Sequence, residues 1–215
     1  MNIAFLGDSI TLGYALEDKR KRYATLVARE LGMTEENYGI TGTLMARAGL
    51  NTSDGLDFIS RLELTESADV AVIFGGTNDY FWSDKGIFGE DDSYFAHALD
   101  TICKFVNEKR AGKLTLMVTP YPHNGIGNFF GGEHWCTDKS RHDTCEKNYT
   151  GNTLYDYAAV IKEKAREYNI PYLDLFENFP FDHKIHTSDG CHPNEAGHEL
   201  LCSVISKKLR EIMEY

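Results

Sequence analysis

Short apolar runs alternate with segments of helical periodicity from one end of the chain to the other. The apolar runs predict five β-strands, at residues 2–6, 36–40, 70–74, 114–119 and 171–175. Several of them are apolar without interruption, which is typical of strands buried on both faces of a parallel sheet. This alternation restricts the chain to the α/β class.

Three segments between or after these runs carry apolar residues at helical spacing. They lie at residues 95–106, 154–168 and 194–211, and Pro193 is expected near the first position of the last helix. Strands joined by right-handed helical crossovers form a parallel sheet with helices on both faces. We therefore predict a three-layer α/β/α domain around a five-stranded parallel sheet.

A single domain over residues 1–215 is the expected organisation. The sequence has no internal repeat and no linker-like tract, and 215 residues are enough to bury one large core. The exception to regular patterning is an insertion at about residues 121–151, which is rich in glycine and aromatic residues. Loops of this length in compact domains are usually functional or disordered, and the aromatic content favours function.

Charge and hydropathy narrow the choice of partners. The chain has 22 Lys and Arg against 33 Asp and Glu, a net charge of −11, so we expect a small-molecule partner and no nucleic acid. It has no run long enough to span a membrane and no visible signal peptide, so we expect a cytoplasmic protein without a membrane partner. Five scattered cysteines suit reduced thiols in a core. The oligomeric state, including a homo-oligomer, stays open.

Four short polar motifs follow predicted strands, where ligands bind in open parallel sheets. Each alone has the composition of an ordinary turn or helix cap. Together they supply what acyl transfer requires: a serine, a histidine to activate it, a carboxylate to orient the histidine, and amide donors for an oxyanion. The motifs are Gly7-Asp8-Ser9, residues 37–42, Gly76-Thr77-Asn78-Asp79, and residues 189–193 with Asp189 and His192.

With these four motifs in this order, the chain resembles the GDSL or SGNH hydrolases, serine esterases and lipases with a flavodoxin-like fold. The resemblance covers nearly the whole chain. It implies that Ser9 is the nucleophile, His192 the base and Asp189 the acid of a catalytic triad. It also explains why the Gly-x-Ser-x-Gly elbow of α/β-hydrolases is absent, because this family places its serine just after the first strand.

The resemblance also implies an oxyanion hole. Its donors would be the backbone amide of Ser9, the side-chain amide of Asn78 and a glycine amide, either Gly42 or the nearby Gly39. Asp8 is expected to hydrogen-bond the surrounding loops and not to act as a second acid. The chemistry needs neither a metal nor an organic cofactor.

Aromatic residues near the motifs suggest a substrate pocket. Tyr80, Phe81 and Trp82 follow Asn78 directly, and Trp135 lies in the insertion. Such rings stack on sugars or acyl groups, although they would equally fill a small core beneath the loop. We expect a short-chain or carbohydrate O-acetyl ester as substrate. The alternatives are a lipid or lysophospholipid acyl hydrolase, a thioesterase, and a non-catalytic flavodoxin-like binding module.

The insertion also holds two histidines and two cysteines. The spacing of His134, Cys136, His142 and Cys145 matches no common zinc module, so we expect no metal there. Free thiols, a Cys136–Cys145 disulfide in an exported protein, and a bound zinc remain the alternatives.

Overall fold

A parallel sheet of five strands forms the centre of the protein. The computed structural model describes residues 1–47, 56–123, 147–177 and 179–214. The strands are β1 (Asn2–Gly7), β2 (Thr34–Gly39), β3 (Val70–Phe74), β4 (Leu114–Val118) and β5 (Tyr172–Leu173). Their order across the sheet is β2-β1-β3-β4-β5, and all four pairs are parallel. This flavodoxin-like order confirms the predicted fold class.

The limits of the two edge strands, β2 and β5, differ from the predicted ones because of how each strand is hydrogen-bonded to its neighbour. β2 begins two residues earlier than predicted because it pairs with the whole of β1, from Asn2 with Thr34 to Gly7 with Gly39. β5 is shorter than predicted because the Thr119 side chain takes the place of a backbone acceptor in its hydrogen bonds to β4. Thr119 N–H still donates to Leu173 O at 3.1 Å, but Leu175 N–H then donates to the Thr119 hydroxyl at 2.9 Å.

Helices cover both faces of the sheet. They are α1 (Ser9–Leu12), α2 (Tyr23–Glu30), α3 (Phe58–Arg61), α4 (Thr77–Trp82), α5 (Phe95–Lys109), α6 (Leu154–Glu167), α7 (His183–His186) and α8 (Glu195–Met213). Short 3₁₀ turns occupy Lys19–Lys21 and Leu62–Thr65. The three helices predicted from periodicity are α5, α6 and α8.

Two apolar clusters show how the layers pack. Neighbouring residues of β3 point to opposite faces, so Val72 joins one cluster and Ile73 the other. Val72 packs in the layer of α2 and α8, with Tyr23 and Leu201, whereas Ile73 packs in the layer of α5 and α6. The central strands are continuously apolar because both of these layers cover them.

The start of α8 differs from the prediction. Asn194 is the N-cap, and its Oδ1 accepts the Gly197 N–H at 3.0 Å. Pro193 was expected near the first helical position, but it lies one residue before the cap. There it forms an isolated antiparallel bridge with Thr187. An Asn side chain can satisfy a free amide at a helix start, which is why the cap falls after the proline.

Only the ends of the predicted insertion, residues 121–123 and 147–151, belong to the described residues. Asn148 ties its far end to two helices, since Nδ2 donates to Tyr80 O at 3.0 Å and to the Tyr157 hydroxyl at 3.1 Å. The predictions for Trp135 and for His134, Cys136, His142 and Cys145 fall outside the described residues.

Two further findings concern the described part of the chain. Cys103, Cys191 and Cys202 are buried free thiols. No helix within these ranges is long and apolar enough to cross a membrane.

Candidate active site

Ser9 is the first helical residue of α1 and lies two residues after the end of the interior strand β1. The turn between them is tight, because a Cβ added at Gly7 would overlap the Thr11 side chain. Asp8 caps the helix, with Oδ1 accepting the Ile10 N–H at 2.9 Å. The Ser9 hydroxyl is therefore not needed for capping and is available for another partner.

Asp189 and His192 lie in a tight loop between α7 and α8. Asp189 Oδ1 accepts the backbone N–H groups of Cys191 at 3.0 Å and His192 at 2.7 Å. Gly190 has a φ of +93°, a left-handed conformation that favours glycine, and its N–H donates to the Thr187 hydroxyl at 2.9 Å. This turn is what lets a carboxylate and an imidazole three residues apart meet.

The structure brings Ser9, His192 and Asp189 into one hydrogen-bonded chain. His192 Nε2 lies 3.0 Å from Ser9 Oγ, and His192 Nδ1 lies 2.6 Å from Asp189 Oδ2. Ser9 and His192 are 6% and 7% exposed. Partial burial raises the pKa of Asp189, but hydrogen bonds from the His192 ring and from the His192 and Cys191 amides outweigh it and hold the pKa below its usual value.

The two candidate glycines differ in what their amides do. Gly39 N–H is already donated to Asn37 Oδ1 at 3.0 Å, and a Cβ at Gly39 would overlap the Leu12 backbone. Gly42 adopts a φ of +77°, and its N–H has no acceptor among the described residues. Gly39 therefore serves close packing against α1, and the geometry favours Gly42 as the available donor.

Asn78 lies in the first turn of α4, not in a loop as its turn-like motif suggested. Gly76, with a φ of +103°, reverses the chain after β3 so that a helix starts at Thr77. Asn78 is 7% exposed, and its Nδ2 donates to Thr43 O at 3.1 Å, with Asp8 Oδ2 at 3.4 Å. The Asn78 amide thus lies against both the Ser9 turn and the loop that follows Gly42.

The aromatic residues directly after Asn78 pack against the apolar core. Tyr80 and Phe81 are 2% and 5% exposed and belong to the apolar cluster beneath α5 and α6, with partly buried Trp82 packed against it. These two rings therefore contribute to the core, and a role for Tyr80, Phe81 and Trp82 in lining a substrate pocket stays a prediction. Successive side chains of a helix point about 100° apart, and in α4 both of these directions face the apolar core.

In the described ranges, no group of three or more His, Cys, Asp or Glu side chains is arranged to hold a metal ion.

Comparison with known families bears directly on this site. The model of the GDSL-like lipase/acylhydrolase family matches residues 5–200, which include all four motifs. The chain belongs to this family. It is accordingly assigned to the ester hydrolases. The motif with Asp189 and His192 was predicted to follow the fifth strand, but it follows α7 instead, because residues 174–188 lie between it and β5. No curated protein matches the chain significantly.

Solved structures share the fold of this GDSL-like protein. A protein from Lactobacillus plantarum is 24% identical, with a TM-score of 0.77 over 99% of this chain and 96% of that one. A carbohydrate acetylesterase family member from Sinorhizobium meliloti is 15% identical, with a TM-score of 0.70 over 100% of both chains. The aryl esterase of M. smegmatis is 18% identical, with a TM-score of 0.65 over 98% of both. Identities this low establish the common fold alone.

A buried charged cluster supports the active-site loops of this GDSL-like chain. Asp79 is fully buried, and its two carboxylate oxygens accept the N–H groups of Met45 and Ala46, each at 2.9 Å. Arg61 donates to Tyr38 O and, at 2.9 Å, to the Thr43 hydroxyl. The loop that carries Gly42 is therefore held by hydrogen bonds to two ionisable side chains, Asp79 and Arg61.

Burial sets the protonation of this cluster. It raises the pKa of Asp8 to about 6 and that of Asp79 to about 7, and it lowers the pKa of Arg61 to about 10. The backbone amide of Ile10 and the charges of His192 and Arg61 partly offset the effect on Asp8. As expected, Asp8 is a hydrogen-bonding partner, to Ile10 and Asn78.

Sequence reasoning missed three residues that the structure brings to the site or its support. Arg61 and Asp79 contact the Gly42 loop across the fold, and the sequence carries no local signal for either contact. Tyr14 lies against His192, with ring centroids 4.7 Å apart and an interplanar angle of 42°. Its position five residues after Ser9, beyond a glycine that ends α1, is the signal that could have identified it.

The raised pKa of Asp8 predicts that the protein loses stability as pH rises. Below the ordinary value of 3.8, both folded and unfolded states are protonated, whereas above about 6 the folded state must hold a buried carboxylate. Asp8→Asn removes this ionisation. Between about pH 4 and about pH 7, wild type should lose up to about 3 kcal/mol more unfolding free energy than the variant, measured by urea denaturation.

Asp91→Asn is the matched control for this experiment. Hydrogen bonds from Ser93 lower the pKa of Asp91, so its contribution to stability is present at neutral pH and is lost as pH falls. The two substitutions should therefore change the pH dependence in opposite directions. An Asp8→Asn variant with the same pH dependence as wild type would contradict the prediction.

Proposed function

We propose that this chain is a serine esterase that works through a covalent acyl-enzyme, with Ser9 as nucleophile, His192 as base and Asp189 as orienting acid. The observation that carries the proposal is the continuous hydrogen-bonded chain from Ser9 Oγ to His192 Nε2 at 3.0 Å and from His192 Nδ1 to Asp189 at 2.6 Å. These distances lie within the reach required of a nucleophile, its base and the group that orients the base.

In acylation, His192 Nε2 takes the Ser9 hydroxyl proton as Ser9 Oγ attacks the ester carbonyl. Asp189 accepts the Nδ1–H, which fixes the tautomer with a free Nε2 lone pair and stabilises the imidazolium that forms. His192 then donates the same proton to the leaving alcohol. In deacylation, His192 Nε2 takes a proton from the water that attacks the acyl group. It then returns this proton to Ser9 Oγ as the bond between Ser9 and the acyl carbon breaks, which releases the acid and restores the Ser9 hydroxyl.

The oxyanion of each tetrahedral intermediate would be held by three donors. They are the backbone N–H groups of Ser9 and Gly42 and the side-chain Nδ2 of Asn78. The proposal is supported by the unpartnered amide of Gly42 in the described structure and by the long 3.4 Å contact from Asn78 to Asp8. A substrate oxygen can replace so weak a hydrogen bond at little cost.

We further propose a short-chain or carbohydrate O-acetyl ester, a small molecule, as the substrate class. The net charge of −11 suits a neutral substrate more than an anionic surface. A structural neighbour described as a carbohydrate acetylesterase family member supports the same choice. Among p-nitrophenyl esters, acetate should be preferred over octanoate, whereas the reverse preference would favour a lipid acyl hydrolase.

A fluorophosphonate probe tests the proposed nucleophile directly. The wild-type protein should be labelled once, on the peptide that contains Ser9, because only an activated serine attacks the phosphorus. Ser9→Ala should not be labelled. Ser188→Ala is the matched control: this exposed serine lies in the same loop as Asp189, and its loss should leave labelling unchanged. A wild-type protein that stays unlabelled would instead support a non-catalytic binding module.

A further inference from the structure

Tyr14 is held against the active site by its backbone. Gly13 ends α1 in a left-handed conformation and turns the chain, and Tyr14 N–H donates to Ser9 O at 2.9 Å. Lys19 fixes the same turn, since its Nζ donates to Gly13 O at 2.6 Å and to Leu16 O at 3.1 Å. The position of the Tyr14 ring is therefore set by the same short segment that presents Ser9.

The Tyr14 ring lies over His192, and much of it remains open. The ring centroids are 4.7 Å apart, while Tyr14 as a residue is 55% exposed. His192, by contrast, is 7% exposed. Exposed aromatic rings beside a reaction centre offer an apolar face that a ligand can cover, and a ring with few rotatable bonds loses little entropy on doing so.

The position of Tyr14 relative to His192 indicates which half of the ester it borders. One edge of the imidazole, at Nδ1, faces Asp189, and the other, at Nε2, faces Ser9. In the proposed mechanism, Nε2 gives its proton to the oxygen of the leaving alcohol, so that alcohol must come within hydrogen-bond reach of His192. A ring packed on His192 is thus a neighbour of the alcohol half.

We propose that Tyr14 is a specificity-determining residue for the alcohol half of the ester, where its open face stacks on a ring of the leaving alcohol. The inference rests on the proposed function. The ring is either the pyranose of an acetylated sugar or an aryl group, both of which pack flat on a phenol face. Acyl chain length is set elsewhere, because the acyl group is directed away from His192 Nε2.

Two ester series measured on Tyr14→Ala and Tyr14→Phe test this inference. In the first series, the acyl group is always acetate and the alcohol is phenol, a methyl glycoside or ethanol. Tyr14→Ala should lower kcat/KM for the two ring alcohols by about tenfold, the size of one stacking contact, and that for ethyl acetate by less than about twofold. Tyr14→Phe keeps the ring and should retain the wild-type preference.

In the second series, the alcohol is always p-nitrophenol and the acyl group ranges from acetate to octanoate. Tyr14→Ala should lower all members by the same factor and so leave the acyl preference unchanged. An equal loss for ethyl acetate and phenyl acetate would show that Tyr14 acts only through His192 and would overturn the inference. So would a changed acyl preference, because it would place Tyr14 on the acyl side.

The two ring alcohols in the first series show whether Tyr14 contacts a sugar ring or an aryl group. Loss confined to the glycoside identifies a sugar ring as the occupant, and loss confined to phenyl acetate identifies an aryl group. Fluorophosphonate labelling of the same variants distinguishes the inference from the proposed function. If Ser9 is labelled in Tyr14→Ala and the alcohol preference is nevertheless unchanged, only the inference fails, whereas an unlabelled wild type means that the proposed function fails.

Discussion

Replacing Ser9 by alanine is expected to lower kcat for p-nitrophenyl acetate by roughly 10⁶-fold, because the covalent route disappears with the hydroxyl. Only one oxygen atom is lost, and Asp8, not Ser9, caps α1. The helix and its position after β1 should therefore persist. A residual rate of roughly 10³- to 10⁴-fold over water is expected from the remaining oxyanion donors and from substrate binding.

Steady-state kinetics of purified wild type, Ser9→Ala and Ser188→Ala provide the measurement. Ser188→Ala should keep wild-type turnover, and thermal unfolding of all three proteins should agree within a few degrees. The comparison separates the loss of a nucleophile from the loss of the fold. Hydrolysis by Ser9→Ala at the wild-type rate would show that another group attacks the ester and would rule out the proposed triad.

The sheet and the strand-end motifs could be predicted because both follow from local patterns. Apolar runs such as Val70–Phe74 are continuous since two helical layers cover them, and a parallel sheet then places every strand end at one edge. Ser9 follows β1 and His192 lies in the loop between α7 and α8, 183 positions later in the chain, yet the fold brings their side chains within 3.0 Å. Motif order was therefore enough to propose the site.

The supporting contacts could not be predicted because they depend on tertiary structure. Asp79 reaches the amides of Met45 and Ala46, more than thirty residues away in the chain, and no local pattern marks that contact. The same holds for the burial of Tyr80 and Phe81. An aromatic run after a functional motif fits a pocket and a core equally well, and only the direction of α4 decides between them.

Asp189→Asn is expected to lower kcat by roughly 10⁴-fold while leaving the loop in place. The Asn Oδ1 can still accept the Cys191 and His192 backbone amides, which hold the turn at 3.0 and 2.7 Å. Its Nδ2, however, replaces the oxygen that faces His192 Nδ1. A donor there selects the tautomer in which Nδ1 accepts and Nε2 carries the proton, so Nε2 can no longer take the proton of Ser9.

Asp182→Asn is the matched control for this substitution. Asp182 is an exposed carboxylate that caps the neighbouring helix α7, with its side chain accepting the Lys184 N–H at 2.9 Å, and Asn is an equally good cap. The Asp182→Asn variant should therefore retain the wild-type kcat. Fluorophosphonate labelling should slow in Asp189→Asn by a factor similar to the loss in kcat, since both reactions need an activated Ser9. A loss of less than about tenfold in both would mean that Asp189 does not orient His192, even though it lies 2.6 Å from the ring.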